Sequence, residues 1–533
     1  MSSSERTGLI ASSRNGSDPT GLSSTNSPKD NSSGTNSSTR LAILIAYLGA
    51  FLASSDESVV IATYDVIASG FHELAKGPWL VTGYNLGYCI ALPIYGTLAD
   101  AWGRKLSMLV GYSFFGIGCL ISSISAAMTG LIAGRIVSGV GAAGMAITIS
   151  IIITDLAAPR DVALLRSYTN VVAMIGRGVG APIGSIVVNS LGWRWAFAGR
   201  LPLIVLCLVL SRVYFPDHHK ETAEPQTSHG GNIKQLDYLG IATFATAVVA
   251  LLMAITIAGQ EGGKMSHHYF WLVIFTLAAI FFTLHEILWA KRPLVPLKLA
   301  TKGIGQYWLV ELLIFSGRNG LVATITQYLT QVKRLPEATA SMYLVPSTMG
   351  LAVGSMTSGF AIQRRTKRYR TRSLYSAVIS ILSSILLFFA WHFDHPVVES
   401  LLVIPMSTPI GIITSGDFIG MSSRAPPEVL ASSIGAYYLS QQLGLIVGAA
   451  MGPLVVRTGF KHDIAGGLNE SVENEVIRNV LRDAKYVDTL PEDIQRVVRS
   501  SLGYGYQFVP VLATVTVALC VPSLVVTREQ SVE

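Results

Sequence analysis

From Leu41 onward the sequence is a succession of apolar stretches, each about 20 residues long, the length a helix needs to cross a bilayer core of about 30 Å. Few folds remain open to such a chain. In lipid every backbone N–H and C=O must be satisfied within the protein, so runs of this length become helices. Fourteen are read, at about 41–62, 78–98, 106–127, 130–153, 167–189, 195–213, 238–258, 269–289, 306–330, 338–362, 374–391, 399–421, 431–456 and 504–526. Several carry Gly and Pro, which membrane helices tolerate. An even number of spans puts both ends of the chain on one side. The expectation is an all-α membrane protein with 14 transmembrane helices.

Composition agrees. Only 13% of the 533 residues are Asp, Glu, Lys or Arg, against about 25% in soluble proteins. That argues against a soluble enzyme, a disordered chain or a nucleic-acid binder. No phosphate-binding glycine loop, nucleotide site or catalytic triad spacing occurs, so no cofactor is expected and an ion gradient, not ATP, would supply the energy. The four Cys, at 89, 119, 207 and 520, stand alone in apolar runs and suggest neither a metal site nor a disulfide framework.

The distribution of charge predicts orientation. With the N-terminus cytosolic, the short cytosolic loops hold about 18 Lys and Arg and the opposite loops about five. The densest cluster is Arg364, Arg365, Lys367, Arg368, Arg370 and Arg372, while Asp394 and Glu399 lie opposite with no nearby base in sequence. The loop from about 457 to 503 then falls on the lumenal side, where Asn469 begins a glycosylation sequon and 471–484 has the pattern of an amphipathic helix.

The first 39 residues are about one-third Ser, with few large apolar side chains, and read as a disordered cytosolic tail. They hold Glu5, Leu9 and Ile10 in the spacing of an acidic dileucine signal, which sorting adaptors read on membrane proteins bound for vacuoles. Asn15, Asn31 and Asn36 begin sequons that matter only if the tail is lumenal.

Between spans 2 and 3 stands Gly96-Thr97-Leu98-Ala99-Asp100-Ala101-Trp102-Gly103-Arg104-Lys105. Gly96 permits close helix approach, Gly103 a tight turn, Asp100 a cap or salt bridge, and Arg104 with Lys105 a hold on the cytosolic face. The order of residues closely resembles the loop signature of the major facilitator superfamily. Gly134-Arg135 in span 4 resembles that family's Gly-Arg motif. Gly176, Gly180, Pro182 and Gly184 in span 5 are similar to its antiporter signature, with Ala181 and Ser185 where glycines stand in the family pattern. Trp193-Arg194-Trp195 and Asp237-Tyr238-Leu239-Gly240 resemble its fourteen-span drug:proton antiporter branch. Ser54-Ser55-Asp56-Glu57-Ser58 and the residues after it look like the fungal subgroup of vacuolar basic amino acid transporters.

The resemblance implies two six-helix bundles, residues 40–213 and 301–526, joined by a linker at 214–300 with two extra transmembrane helices, and a cytosolic tail at 527–533. It implies a central site opened alternately to each side. The function it implies is proton antiport of Lys, Arg or His from cytosol into the vacuole. Alternatives are a multidrug or siderophore transporter at the plasma membrane, or a non-transporting sensor. The partners would be a small-molecule substrate, protons, the bilayer and a sorting adaptor. Nucleic acid is not among them, and a monomer is expected.

Ionisable side chains within apolar spans are costly and mark functional candidates. They are Asp56 and Glu57, Arg135, Arg177, Glu311 with Arg318, and Asp417. Asp56 and Glu57 differ by about 100° around a helix, so they should not share a partner. Asp56 is read as a proton-coupling or substrate acid, or as a structural partner of Arg135. Glu57, Arg177, Asp417 and the polar Asn85 are candidates for the same cavity. Glu311 is read as capped by water near a helix end, Glu286 as reaching the interface, and Gln327 and Tyr328 as polar groups serving packing or lining. The pairs His218-His219 and His267-His268 are read as solvated.

Overall fold

Gly103 and Gly192 adopt φ of 89° and 93°, a backbone region that favours glycine. Each ends one helix and lets the next start at the following residue. The computed structural model describes residues 37–526 apart from 74–75, 78, 157–158, 216–236, 260–264, 291–292, 336–339, 341, 365–368, 394–395, 465–475, 478 and 481–483. Glu5, Leu9, Ile10, Asn15, Asn31, Asn36, His218, His219, Asp394 and Asn469 lie outside the described residues, as do the side chains of Asp100 and His267.

No strand occurs among the described residues. The helices are α1 (Ser37–Gly70), α2 (Trp79–Trp102), α3 (Arg104–Ile124), α4 (Met128–Leu156), α5 (Pro159–Leu191), α6 (Trp193–Ala198), α7 (Leu201–Tyr214), α8 (Tyr238–Gly259) and α9 (Met265–Leu288). A helical turn and a π-helical turn, Leu297–Leu299 and Ala300–Ile304, then lead into α10 (Gly305–Gln331), α11 (Leu344–Arg364), α12 (Tyr369–Phe393), α13 (Pro396–Ser422), α14 (Leu430–Ile464), α15 (Glu492–Gln507) and α16 (Val509–Val526).

Twelve candidate spans, some made of consecutive helices, are long and apolar enough to cross a membrane among the described residues. α2 and α11 have membrane length, 24 and 21 residues, but are more polar. α2 holds Thr82, Asn85 and Tyr88, and α11 holds Ser347, Ser355 and Ser358. Length and apolarity alone therefore do not reach the expected fourteen.

Several boundaries move. α5 begins at Pro159 rather than near 167, with Pro in the first helical position and Asp161 in the first turn, a favoured helix start. α14 continues to Ile464, and α15 opens at Glu492, so much of the expected 457–503 loop is helical. α15 buries Val498, Leu502 and Tyr506 in a cluster that includes Val456 and Phe460 of α14. Within the segment expected as an amphipathic helix, helix is described only at 476–477 and 479–480.

The packing repeats. α3 lies on α4, α2 on α4, and α1 on α5; α12 on α13, α11 on α13, and α10 on α14 stand in the same relation. α3 with α7 recurs as α12 with α16. The main pairings that join the sets, α5 with α11 and α2 with α14, exchange under the same correspondence, and so do the smaller ones, α5 with α13 and α4 with α14. α8 and α9 pack on each other, and α8 touches both α2 and α14. Small residues permit these approaches. A Cβ at Gly176 would lie 2.8 Å from the Phe51 carbonyl, at Gly180 2.7 Å from the Ser55 carbonyl, and at Gly184 2.5 Å from Val59 Cγ1. This stripe of three glycines, spaced four residues apart, seats α5 on α1. A Cβ at Gly96 would come 2.9 Å from the Ala431 carbonyl, where α2 meets α14. Outward faces carry exposed apolar side chains, for example Phe270, Val273, Leu277, Ile280 and Leu284 on α9.

Candidate functional site

Asp56 lies in the middle of α1 and is 0% exposed. Its Oδ2 accepts from Arg135 Nη1 of α4 at 2.5 Å, and its Oδ1 from Arg200 Nη1 at 2.5 Å. Arg135 also donates to the Leu80 carbonyl at 3.3 Å and stands 4.5 Å from the Tyr84 ring centre. A buried carboxylate is tolerable only when charge and hydrogen bonds replace the lost water. Here both oxygens are bound and no surface is left to solvent. The ion triad pins α1 to α4 and to the junction of α6 and α7.

Arg200 was not foreseen. It falls within the expected sixth span, 195–213, and follows Gly199 at the break between two short helices. Its position just before Leu201-Pro202 turns it inward, and its Nη2 is buried without a hydrogen-bond partner.

Glu57 takes a different partner, as the 100° offset requires. Its Oε2 is 3.3 Å from Arg177 Nε, with side-chain exposures of 32% and 49%. Ser58 Oγ donates to the Arg177 carbonyl at 2.6 Å, which joins α1 to α5 beside the glycine stripe. Tyr88 of α2 is within electrostatic reach of Glu57, Arg177 and Tyr438 of α14. Arg177 likewise acts electrostatically on Arg318 of α10, which is buried with Nη2 3.5 Å from Ser347 Oγ. Asn85 Oδ1 accepts from Gln442 Nε2 at 3.0 Å, joining α2 to α14.

Glu311 corrects the sequence reading. It is 0% exposed, not capped by water, because α13 and α14 cover this turn of α10. Tyr437 donates to its Oε1 at 2.7 Å and Gln441 Nε2 to its Oε2 at 3.3 Å. Asp417, 3% exposed, is close enough for the two charges to interact, and its Oδ2 has no hydrogen-bond partner. The basic side chain beside Glu311 comes from the other helix set: Arg166 of α5, 3.2 Å from the Phe418 ring centre and 3.1 Å from the Tyr438 hydroxyl. The expected span 5 starts only at 167 and excludes Arg166, whereas the Pro159 start places it two turns inside the helix.

Other acids also differ from expectation. Glu286 does not reach the interface: it is buried and accepts from the Val295 backbone N–H at 2.6 Å. Glu399 is buried too and finds a base, Lys333 Nζ at 3.2 Å, with Tyr328 donating at 3.3 Å. Tyr328 stacks on Trp391, ring centres 4.4 Å apart.

Arg104 Nε meets Asp155 Oδ2 at 2.6 Å and its Nη1 the Ala99 carbonyl at 3.0 Å, tying the start of α3 to the end of α4. Lys105 is half-buried in the first turn of α3, and Pro182 is exposed in α5. The end of the bundle where α1 begins, here the basal end, joins the two sets through polar bonds. Ser150 bonds Tyr438, Ser167 lies 2.5 Å from the Ser355 carbonyl, Asn170 donates to Ser355 at 2.9 Å, and Gln363 to Asp161 at 2.8 Å. No group of three metal-ligating side chains occurs among the described residues.

The family model described as Major Facilitator Superfamily matches residues 46–449. Curated relatives include a vacuolar membrane amino acid uptake transporter of Schizosaccharomyces pombe, 25% identical over 87% of this chain and 80% of that protein. A multidrug resistance protein of the same organism is 25% identical over 86% and 87%. Vacuolar basic amino acid transporter 1 of Saccharomyces cerevisiae is 27% identical over 60% and 56%. Among solved structures, a proton:xylose symporter superposes with a TM-score of 0.60 at 12% identity, covering 94% of this chain and 98% of that one, a likeness of fold alone.

Proposed function

From the premise that the chain belongs to the major facilitator superfamily, a family of transporters and not enzymes, we propose that it is a proton-coupled antiporter moving Lys, Arg or His from the cytosol into the vacuole. The observation that carries the reading is the set of buried carboxylates, Asp56, Glu311 and Asp417, enclosed by membrane-length helices. A carboxylate in that setting can hold either a proton or a cationic amine, and exchanging one for the other couples the two flows. The vacuolar names of two relatives support the location and the substrate class.

In this reading α2 and α11 also span, giving fourteen crossings, and the basal end is cytosolic. Residues 40–213 and 301–526 are the moving halves, with 214–300 between them. Glu57 and Arg177, which keep open surface, meet the substrate's ammonium and carboxylate groups. Asp56, Arg135 and Arg200 form the element that answers to protons, since neutralising Asp56 frees two guanidinium groups at once. Glu5, Leu9 and Ile10 serve sorting, and Asn469 is a lumenal glycosylation site.

Uptake of labelled lysine, arginine and histidine into isolated vacuoles tests this. Uptake should require ATP-driven acidification, collapse with a protonophore, and fall in Asp56→Ala. Uptake that survives the protonophore would remove the proton coupling. A second reading, drug transport at the plasma membrane, rests on the multidrug relative of equal identity. A tagged copy on the cell surface, with no amino acid uptake by vacuoles, would favour it.

A further inference from the structure

α5 belongs to the first helix set, yet the guanidinium of its Arg166 is lodged among side chains of the second. Phe418 of α13 lies face-on to it at 3.2 Å, and the ring centres of Tyr437 and Tyr438 of α14 are 5.7 and 5.8 Å away. The Tyr438 hydroxyl accepts from Arg166 Nη2 at 3.1 Å. Tyr437 also donates to Glu311, which Gln441 holds from the other oxygen, and Asp417, within electrostatic reach of Glu311, has a buried Oδ2 with no hydrogen-bond partner. Glu311 and Arg166 interact electrostatically.

Aromatic faces attract cations, most strongly when water is excluded. A box of three aromatic rings backed by two buried acids is a receptor for a guanidinium or ammonium group. Every wall and both acids sit on α10, α13 and α14, whereas the cation filling the box comes from α5. If the two sets part at the basal end, Arg166 leaves with α5 and the box stays behind. An emptied box would hold two acids without a counter-charge, which is costly. It should then draw in another cation of the same shape.

We infer that the box of Phe418, Tyr437 and Tyr438 with Glu311 and Asp417 binds the cationic side chain of the substrate, and that Arg166 is its built-in competitor. The inference rests on the basic-amino-acid reading and adds the place where the side-chain charge is read. Tyr88 interacts electrostatically both with Tyr438 of this box and with the Glu57–Arg177 pair, and in this inference the α-amino and carboxylate groups and the side-chain cation have separate seats. Substrate entering from the basal side takes over the role of Arg166 and thereby holds the two sets apart.

The test is equilibrium binding of labelled arginine to the purified full chain in detergent, with melting followed in parallel. Glu311→Gln and Phe418→Ala should weaken binding about tenfold or more, while Phe418→Tyr stays within about twofold. Arg166→Ala should tighten binding about fivefold, because a competing internal ligand is gone. A gain of affinity cannot arise from misfolding. Arginine binding by wild type that is unchanged in Glu311→Gln and Phe418→Ala overturns the inference and leaves the proposed function standing. So does loss of binding in Arg166→Ala, which would make Arg166 a ligand or a brace. Failure of the wild type to bind arginine, lysine or histidine removes the proposed function and this inference with it.

Discussion

Two buried charge clusters of this protein solve the same problem in opposite ways. In the first helix set Asp56 meets two arginines, Arg135 and Arg200, both from that set. In the second, Glu311, with Asp417 beside it, interacts with one arginine, Arg166, and it comes across the interface. The first cluster is complete within its own helices, so it can survive any movement of one set against the other. The second is complete only while the sets are joined. A charge shared between two bodies changes its energy if they move apart, and in the proposed cycle that difference is what substrate or proton would supply to shift the equilibrium.

The comparison can be broken most directly at Asp56. Asp56→Asn leaves two buried guanidinium groups without a counter-ion, and removing one partner of a buried pair costs about 3–5 kcal/mol. Its melting temperature should fall by far more than that of Glu311→Gln, whose neighbours Tyr437 and Gln441 remain able to hydrogen-bond a neutral amide. Equal melting of the two variants would mean that the clusters do not differ in self-sufficiency.

Tyr438→Phe sharpens the contrast at smaller scale. It keeps the ring but removes bonds to Arg166 and Ser150 across the interface, at about 1–3 kcal/mol. The effect should appear as greater accessibility of cysteines placed at the basal ends of α5 and α11, with little change in melting. A large drop in melting without altered accessibility would assign Tyr438 to folding rather than to closure.

The smallest effect is expected at Glu57→Gln. The pair with Arg177 is partly exposed, and such pairs contribute about 0–1 kcal/mol. Melting should stay near wild type while lysine uptake falls. Unchanged uptake would take Glu57 out of the substrate path.

Much of this was legible in the chain. Gly96, Gly103 and Arg104 sit where a sharp basic turn between close helices requires them, and the divergence of Asp56 from Glu57 follows from helical geometry alone. The misses share a cause. Arg166 and Glu311 lie near the ends of apolar runs, where a hydropathy reading assigns them to water, and Glu399 lacked a base only in sequence. Lys333, its partner, is on a different helix connection.

The sequence by itself determined that this is a chain of long apolar helices with a few charges inside them, because lipid length and backbone satisfaction leave no other choice. Only the tertiary structure decided which charges meet. Arg200 is turned inward by a break between two short helices. Arg166 reaches its aromatic box through the packing of α5 against the other set. Neither contact has any trace in local periodicity, since each joins residues more than a hundred positions apart.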